Sequence, residues 1–573
     1  MSKLSAEVLM LEPIGQGRQI FSYSVPEAWS SIGVGQRVLV ELRNRQLIGV
    51  VIKLLKSQPD PQARYQLKSI LRLIDQTPLI SGAYLRWLQT MAKLYRSTPA
   101  QLLRSQPPLP IKHSWLKPTE PAQSQAVTPA FSNPVSEKKQ YQKPSYLISD
   151  DYFADLLALL PQATTKLNGQ GQTLIIVASQ LQLETIRELL LTESDEYSQY
   201  ILELEPYLRL KHSSEDWLAT VTKQPILLGL RSMASLSLPN LKRVIVIEPD
   251  LYGQTESQSP YWSSLSLLIE RQKHERFQLY TLSAAPPKAS LSARHQTELK
   301  ADSLIWRRRQ LSSYRIFEEP VAGYSLLSPE VRQLAQECSG KILVVSDATT
   351  ESWRLRCGNC HRIWHCQSCQ SSTIRDLDDF SCLGCQKTIN YPCPNCQQQV
   401  WQSESYGPSK LRDRLTRELN RQFELTGPDW RYRILKREYQ LLIWLSFDSF
   451  QNQARLNWDY DYLCWLAAAT AMAETVLLIG HGQNQDALRP AWPNNKEEWL
   501  RWAKGQSDQL KAQGLDFELT RLTLIEPSLK LKAALPDVFW LNDQQGYLAD
   551  NRVFDIPVTE LSKLKIEPDA FDF

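Results

Sequence analysis

Residues 357–396 read CGNCHRIWHCQSCQSSTIRDLDDFSCLGCQKTINYPCPNC. They hold four Cys-x2-Cys pairs: Cys357 and Cys360, Cys366 and Cys369, Cys382 and Cys385, Cys393 and Cys396. A Cys-x2-Cys turn places two thiolates on one side of a metal, and a tetrahedral Zn2+ takes two such turns. Eight sulfurs therefore predict two closed zinc sites. With no open position left for water, such metal holds structure and performs no chemistry. A disulfide framework is the competing reading, but an intracellular chain of 573 residues has no need of one. Four clustered pairs also do not make a redox motif. The two remaining cysteines, Cys338 and Cys464, read as small buried hydrophobes.

Upstream of this segment, apolar runs recur between helical patterns at 173–177, 226–228, 243–247, 277–282 and 341–345. Continuous apolar runs bounded by helices predict parallel strands covered on both faces, hence an α/β layer in two lobes. Downstream, 462–480 is about as long as a bilayer crossing. Glu474 lies within it and alanine predominates, so it reads as a buried helix followed by a strand. The N-terminus carries no basic stretch followed by an apolar region, and the expectation is a soluble, cytoplasmic protein with no membrane partner. Near the N-terminus, the runs 21–26, 35–40 and 47–52 predict a small sheet or barrel. Leu85, Leu88, Met91, Ala92 and Tyr95 then mark a helix over 83–95. Five prolines between Ser114 and Pro144, among Ser, Gln, Thr and Lys, mark a linker.

The length alone predicts several domains, at roughly 150 residues each. Hydrophobic residues make up 42% and charged residues 22%, which excludes disorder, collagen and coiled coil as descriptions of the whole chain. The balance of 65 Lys+Arg against 61 Asp+Glu leaves only +4. Bulk charge therefore does not declare a nucleic-acid binder, and any phosphate-binding surface must be a local patch.

The cysteine spacing x2, x5, x2, x12, x2, x7, x2, with Pro392 before the last pair, resembles the zinc module inserted in the second helicase lobe of the PriA family, the primosomal proteins N′ of replication restart. Phe21-Ser-Tyr-Ser-Val-Pro26, Gly35-Gln-Arg-Val-Leu-Val40 and Gly49-Val-Val51 resemble that family's N-terminal run. Leu67-Lys-Ser-Ile70, Leu73 to Leu79 and Met91 to Tyr95 continue it, and Ile566-Glu-Pro-Asp569 is similar to its closing motif. The resemblance implies a multidomain α/β protein: a small β-rich DNA-binding domain over 1–113, a linker over 114–144 and a degenerate helicase lobe over 145–300. A second lobe would span 301–353 and 400–490, with the double-zinc cysteine module at 354–399 inserted in it, and a small α+β domain would follow at 491–573. It further implies that Cys357, Cys360, Cys393 and Cys396 share one zinc and that Cys366, Cys369, Cys382 and Cys385 share the other. Trp364 or Tyr391 on the module would either stack on bases or pack around the metal core.

A phosphate-binding loop needs glycine-rich backbone, a lysine and a Ser/Thr for Mg2+, and no Gly-Lys-[Ser/Thr] occurs in the chain. Where the family carries that loop, this sequence reads Tyr146-Leu-Ile-Ser-Asp-Asp-Tyr-Phe153, without a glycine and with two aspartates that would repel a triphosphate. Its acidic box is reduced to Glu248-Pro-Asp-Leu251. Glu248 keeps the ability to bind Mg2+, but proline replaces the catalytic acid. The late arginine motif has no counterpart, since 467–482 contain no arginine. The expectation is a helicase fold without helicase chemistry, no catalytic residues, and doubtful ATP or Mg2+ binding.

By the same resemblance a DNA 3′ end would be held near Phe21, Arg43 and Lys68, with Ser22 in place of the family's acid. Arg37, Arg43, Arg45 and Lys53 would supply phosphate contacts. The alternative is that Phe21 is core and the cations are a solvated surface. The implied function is binding of forked or single-stranded DNA and scaffolding of a primosome with its replication proteins. An ATP-dependent 3′–5′ translocase with an unorthodox site, and a protein-interaction module without a DNA role, are the alternatives.

Overall fold

The computed structural model describes residues 3–57, 67–102, 143–160, 171–204, 221–255, 262–287, 303–318, 325–346, 352–366, 373–382, 387–447, 458–480 and 496–502, less a few positions inside them, and four strands after residue 518. The first sheet is antiparallel, with β1 (Lys3–Met10), β2 (Ile20–Ser24), β3 (Arg37–Leu42), β4 (Arg45–Ser57) and β5 (Arg72–Leu73) in the order β2-β1-β4-β3-β5. Leu42 faces Arg45 across a two-residue turn in which Arg43 and Asn44 take φ of 49° and 61°. Both central residues at positive φ match the twist of a tight hairpin. The segment 67–71 closes the sheet into a barrel. Ser24 N donates to Lys68 O at 2.9 Å, Ile70 N to Ser24 O at 3.0 Å, and Leu71 N to Leu39 O at 2.9 Å.

Alternation along the strands sends Ala6, Val8, Met10, Val38 and Val40 into the barrel. The opposite parity of β3 and β4, including Leu39, Ile48 and Val50, packs outward on α1 (Gly82–Leu94) and beyond. Gly35, at φ 92°, lies where that helix is approached; a Cβ there would sit 1.8 Å from Ile80 O, so only glycine fits.

Seven parallel strands make the second sheet: β6 (Ser145–Ile148), β7 (Gln172–Val177), β8 (Ile201–Glu203), β9 (Ile226–Leu230), β10 (Leu241–Ile247), β11 (Gln278–Ser283) and β12 (Leu304–Trp306). Their order is β12-β6-β11-β10-β7-β9-β8. The apolar runs read from the sequence fall on β7, β9, β10 and β11, and every residue of β7 is buried. Helices α2 (Tyr152–Leu159), α3 (Gln180–Glu193) and α4 (Ser264–Gln272) belong to this first lobe. Its sheet runs on to Trp306, past the boundary at 300 expected from the sequence.

The second lobe is a parallel sheet of β13 (Ser313–Glu318) and β14 (Ile342–Val345), with α5 (Pro329–Glu337) between them, and three later strands. A small antiparallel module interrupts it, built from β15 (Ser352–Cys357), β16 (Thr373–Asp376), β17 (Ser381–Cys382) and β18 (Trp401–Tyr406). β15 and β18 pair from Ser352 with Tyr406 to Cys357 with Trp401, so the chain enters and leaves the module through a two-stranded stem. The lobe resumes with α6 (Pro408–Leu419), β19 (Glu424–Thr426), β20 (Tyr439–Leu445), α7 (Trp458–Met472) and β21 (Ala473–Gly480), in strand order β13-β21-β20-β14-β19. The apolar segment 462–480 is thus a buried helix running straight into a strand, and no described helix is long and apolar enough to cross a membrane.

After it, β22 (Leu519–Leu524), β23 (Phe539–Trp540), β24 (Gln545–Ala549) and β25 (Leu564–Glu567) form an antiparallel sheet. The proline-rich stretch lies outside the described residues as far as 142. One contiguous apolar core links the outer face of the barrel (Leu39, Ile48), the first lobe (Leu174, Val246) and the second (Leu442, Trp444).

Candidate functional site

Cys357 closes β15 and Cys393 opens a matching turn. In each turn the backbone hydrogen-bonding is the same. His361 N donates to Cys357 O at 2.9 Å and Gln397 N to Cys393 O at 2.8 Å, while Cys357 N donates to Arg362 O and Cys393 N to Gln398 O, both at 2.9 Å. His361 and Gln397 take φ of 59° and 60°, which turns each loop back on itself. Cys357 Sγ lies 3.5 Å from Cys396 Sγ and Cys360 Sγ 3.6 Å from Cys393 Sγ, and all four sulfurs fall within 4.8 Å of one another. Tetrahedral zinc with Zn–S bonds of about 2.3 Å has S···S edges of about 3.8 Å, so this donor set fits a metal ion.

Hydrogen bonds from the Asn395 side chain and the Arg362 backbone bring the Cys360 thiol down to about 6. Burial pushes Cys393 up to about 11. The stem is tied to the second lobe where Arg354 Nη2 donates to Ser446 Oγ at 3.3 Å. Cys366 and Cys382 are buried with Leu355, Trp364 and Ile374 in the module's core, and Cys369 and Cys385 lie outside the described residues. Trp364 is 1% exposed and the Tyr391 hydroxyl donates to His365 O. Of the two roles open to these aromatics, the geometry selects packing.

At the carboxyl ends of β6, β10 and β11, the place where open parallel sheets hold ligands, this chain places its own side chains. The N-terminus of α2 follows β6, and its Ala154 N–H donates to Asp151 Oδ1 at 3.0 Å. A helix N-terminus is a ready anion site, but here a carboxylate of the chain is already on it. Tyr152, 1% exposed, donates its hydroxyl to Glu248 Oε1, which also accepts from Ala284 N at 3.2 Å. Arg431, from the 310 turn Pro428–Arg433 of the second lobe, brings Nη2 to 3.6 Å from Glu248 Oε2; the two side chains are 8% and 4% exposed. Arg431 also lies 5.0 Å over the ring of Trp465 on α7.

Arg308 spans the lobes as well, donating to Ala284 O at 3.3 Å and to Thr470 Oγ1 at 2.8 Å, and its burial brings its pKa down to about 10. Burial raises the Glu248 carboxyl above its usual range, Arg431 and Tyr152 pulling it back only in part. Both oxygens of Glu248 are thus engaged inside the protein, where the sequence had left it able to bind Mg2+.

On the barrel, Phe21 is half-buried against the interior cluster. Lys68 is exposed, and its Nζ lies 2.6 Å from Glu41 Oε1. Arg43 stands exposed at the tip of the β3–β4 turn, Lys53 is exposed on β4, and Arg45 faces Glu12 at 3.8 Å. Arg37 is a correction. It is fully buried, with Nη2 2.6 Å from Asp75 Oδ1 and Nε 2.9 Å from Oδ2, so it braces β3 and cannot reach a phosphate. Leu67 and Leu71, 47% and 42% exposed, flank Lys68. Residues 8–108 match the family model of the PriA 3′ DNA-binding domain. The N-terminal unit is thus similar to a PriA-type 3′ DNA-binding domain.

No curated protein matches the chain by sequence. Solved structures similar to it include the helicase MrfA bound to DNA, at 10% identity and a TM-score of 0.32 over 71% of this chain and 58% of MrfA. Another is the E. coli DExH-box NTPase HrpB, at 12% identity and 0.29 over 64% of this chain and 44% of HrpB. The chain thus spans less than two thirds of the length of either.

The N-terminal domain docks on the first lobe through α1. Arg271 of α4 is fully buried, 5.1 Å from the Tyr84 ring centroid, 5.5 Å from Trp87 and 5.9 Å from Phe277, and it donates to Ala234 O at 2.9 Å. Tyr84 in turn donates its hydroxyl to Ser235 O, and Ser81 Oγ donates to Glu275 Oε1 at 3.3 Å. Sequence reasoning missed Tyr152, Arg271, Arg308 and Arg431. Most of their partners lie far along the chain, Glu275 and Phe277 beside Arg271 excepted, and no local pattern marks an arginine that folding will bury.

Proposed function

We propose that the protein is a PriA-like DNA-binding protein that engages branched or single-stranded DNA through its N-terminal domain and turns over no ATP. The match of residues 8–108 to a 3′ DNA-binding domain carries the DNA-binding part. Arg43, Lys53 and Lys68 supply phosphate contacts, Phe21 shapes the barrel behind them, and Lys68 exchanges Glu41 for a phosphate on binding. The absence of ATPase chemistry is supported by the sequence, which lacks a phosphate loop and the catalytic acid, and by the Asp151 carboxylate standing on the helix N-terminus. The cysteine module holds two structural zinc ions, Cys357, Cys360, Cys393 and Cys396 around one and Cys366, Cys369, Cys382 and Cys385 around the other, and helps scaffold a primosome in the cytoplasm.

The experiment is a forked-DNA binding titration across a salt series, run beside DNA-stimulated ATP hydrolysis by the zinc-loaded protein. Binding that weakens as salt rises, with hydrolysis at background, is the expected result. Hydrolysis that disappears in Glu248→Ala would make the protein an active translocase.

A further inference from the structure

In a two-lobed nucleotide motor the cleft between the lobes opens and closes around its ligand, which requires the facing surfaces to part. Here they share one contiguous buried apolar core. Two polar links and one packing contact cross between the lobes. Arg431 of the second lobe meets Glu248 of the first, Arg308 joins Ala284 O to Thr470 Oγ1, and α3 packs beside the 310 turn that carries Arg431.

Glu248 is the centre of this arrangement, and its backbone is specialised for it. It takes φ 47°, a conformation rare for a side-chain-bearing residue. It is held there by Glu248 N donating to Leu282 O at 2.8 Å and Leu251 N to Glu248 O at 3.1 Å. That turn aims the carboxylate at Tyr152 and Ala284 on one oxygen and at Arg431 on the other. Among the described residues, Arg431 Nε makes no hydrogen bond, and the guanidinium lies against Trp465. A buried cation so placed stays only while the opposing carboxylate stays.

We infer that Tyr152, Glu248 and Arg431 form an internal latch that takes the place of a nucleotide and locks the two lobes in one closed arrangement. Tyr152 fills the space in front of Glu248, and Arg431 supplies the positive charge that a bound metal would bring. The lobes then present one fixed geometry to DNA whether or not nucleotide is present. The inference deepens the proposal of a DNA-binding protein without ATP turnover, but it reads the lobes themselves and survives or fails independently of DNA affinity.

Amide hydrogen exchange on the full, zinc-loaded chain tests it. In the native protein, exchange over 246–251, 282–286 and 428–433 is expected to be unchanged by millimolar Mg2+ and a non-hydrolysable ATP analogue. Altered exchange in these three segments on adding nucleotide would overturn the latch. In Arg431→Gln, exchange in all three segments is expected to rise together, on the order of tenfold, while the N-terminal barrel stays as protected as before. A rise confined to 428–433 would show that Glu248 does not depend on the second lobe, and would also overturn it. Should Arg431→Gln fail to fold, Glu248→Gln, which keeps an acceptor for Tyr152 and Ala284, serves instead. Faster exchange at 428–433 then supports the latch, and unchanged exchange there refutes it.

Discussion

Glu248 and Arg431 face each other, yet their removal has unequal consequences. Burial raises the Glu248 carboxyl, and the attraction of Arg431 offsets only part of that. A carboxyl whose folded pKa lies above its unfolded value, near about 4.3, contributes fully below the unfolded pKa, and the contribution is lost as pH rises through the folded one. Wherever Glu248 is ionised, its buried charge is therefore a strain that Arg431 relieves. Arg431→Met leaves that charge buried and alone, at a cost of about 3–5 kcal/mol. Glu248→Gln removes the carboxylate charge and keeps the acceptor for Tyr152 and Ala284 N, while Arg431, without its partner, turns out to water as its 310 turn loosens and so is not left buried and unpaired. Its cost is expected to stay within about 1 kcal/mol. Urea unfolding of both variants at pH 7 checks the order. Repeating it at falling pH should narrow the deficit of Arg431→Met as Glu248 takes up its proton, and a deficit independent of pH would mean that the carboxylate is not what Arg431 neutralises.

Among elements, the cysteine module is the one whose assembly depends most on something beyond side-chain packing. Its strands β16 and β17 are short, and its buried set is small, centred on Leu355, Trp364 and Ile374. Metal binding supplies folding energy to such units. The proposal of two structural ions predicts that Cys393→Ser and Cys366→Ser each lower the zinc content of the purified protein by one ion per chain, and that a strong chelator abolishes protection of the β15–β18 stem while the parallel sheets keep theirs. Atomic absorption and hydrogen exchange read the two effects.

Elements of this kind were legible in the sequence because their signal is local. Cys-x2-Cys spacing marks a metal turn, and uninterrupted runs such as Thr173–Val177 and Arg243–Ile247 mark strands buried on both faces. The helix and strand within 462–480 were legible for the same reason, Glu474 falling at the exposed start of β21. Arg37 shows the limit. Within its strand it reads like any other cation, and only the return of the chain at Asp75, on the far side of the barrel's closing segment, turns it into a buried brace. Arg271, Arg308 and Arg431 were hidden in the same way, each defined by groups from other elements.

Over the whole molecule, the apolar core passes without a break from the outer face of the N-terminal barrel into both lobes. Domain junctions of ordinary size and polarity permit relative motion, whereas here α1 of the barrel meets α4 of the first lobe around a buried guanidinium stacked among Tyr84, Trp87 and Phe277. Arg271 also holds Glu275, which in turn accepts from Ser81 at the N-cap of α1, so one side chain ties the helix cap, the aromatic pair and the lobe together. The barrel and first lobe should therefore unfold as one cooperative unit. Arg271→Met removes the cation from the aromatic faces and leaves Glu275 without it. It is expected to split the single calorimetric transition into two, the smaller belonging to the barrel. The variant barrel should still bind DNA at low salt, because Arg43, Lys53 and Lys68 lie on its exposed surface and not at the junction. A single transition shifted to lower temperature, with no separate barrel component, would instead mean that the shared apolar surface alone couples the two units and that Arg271 adds only stability.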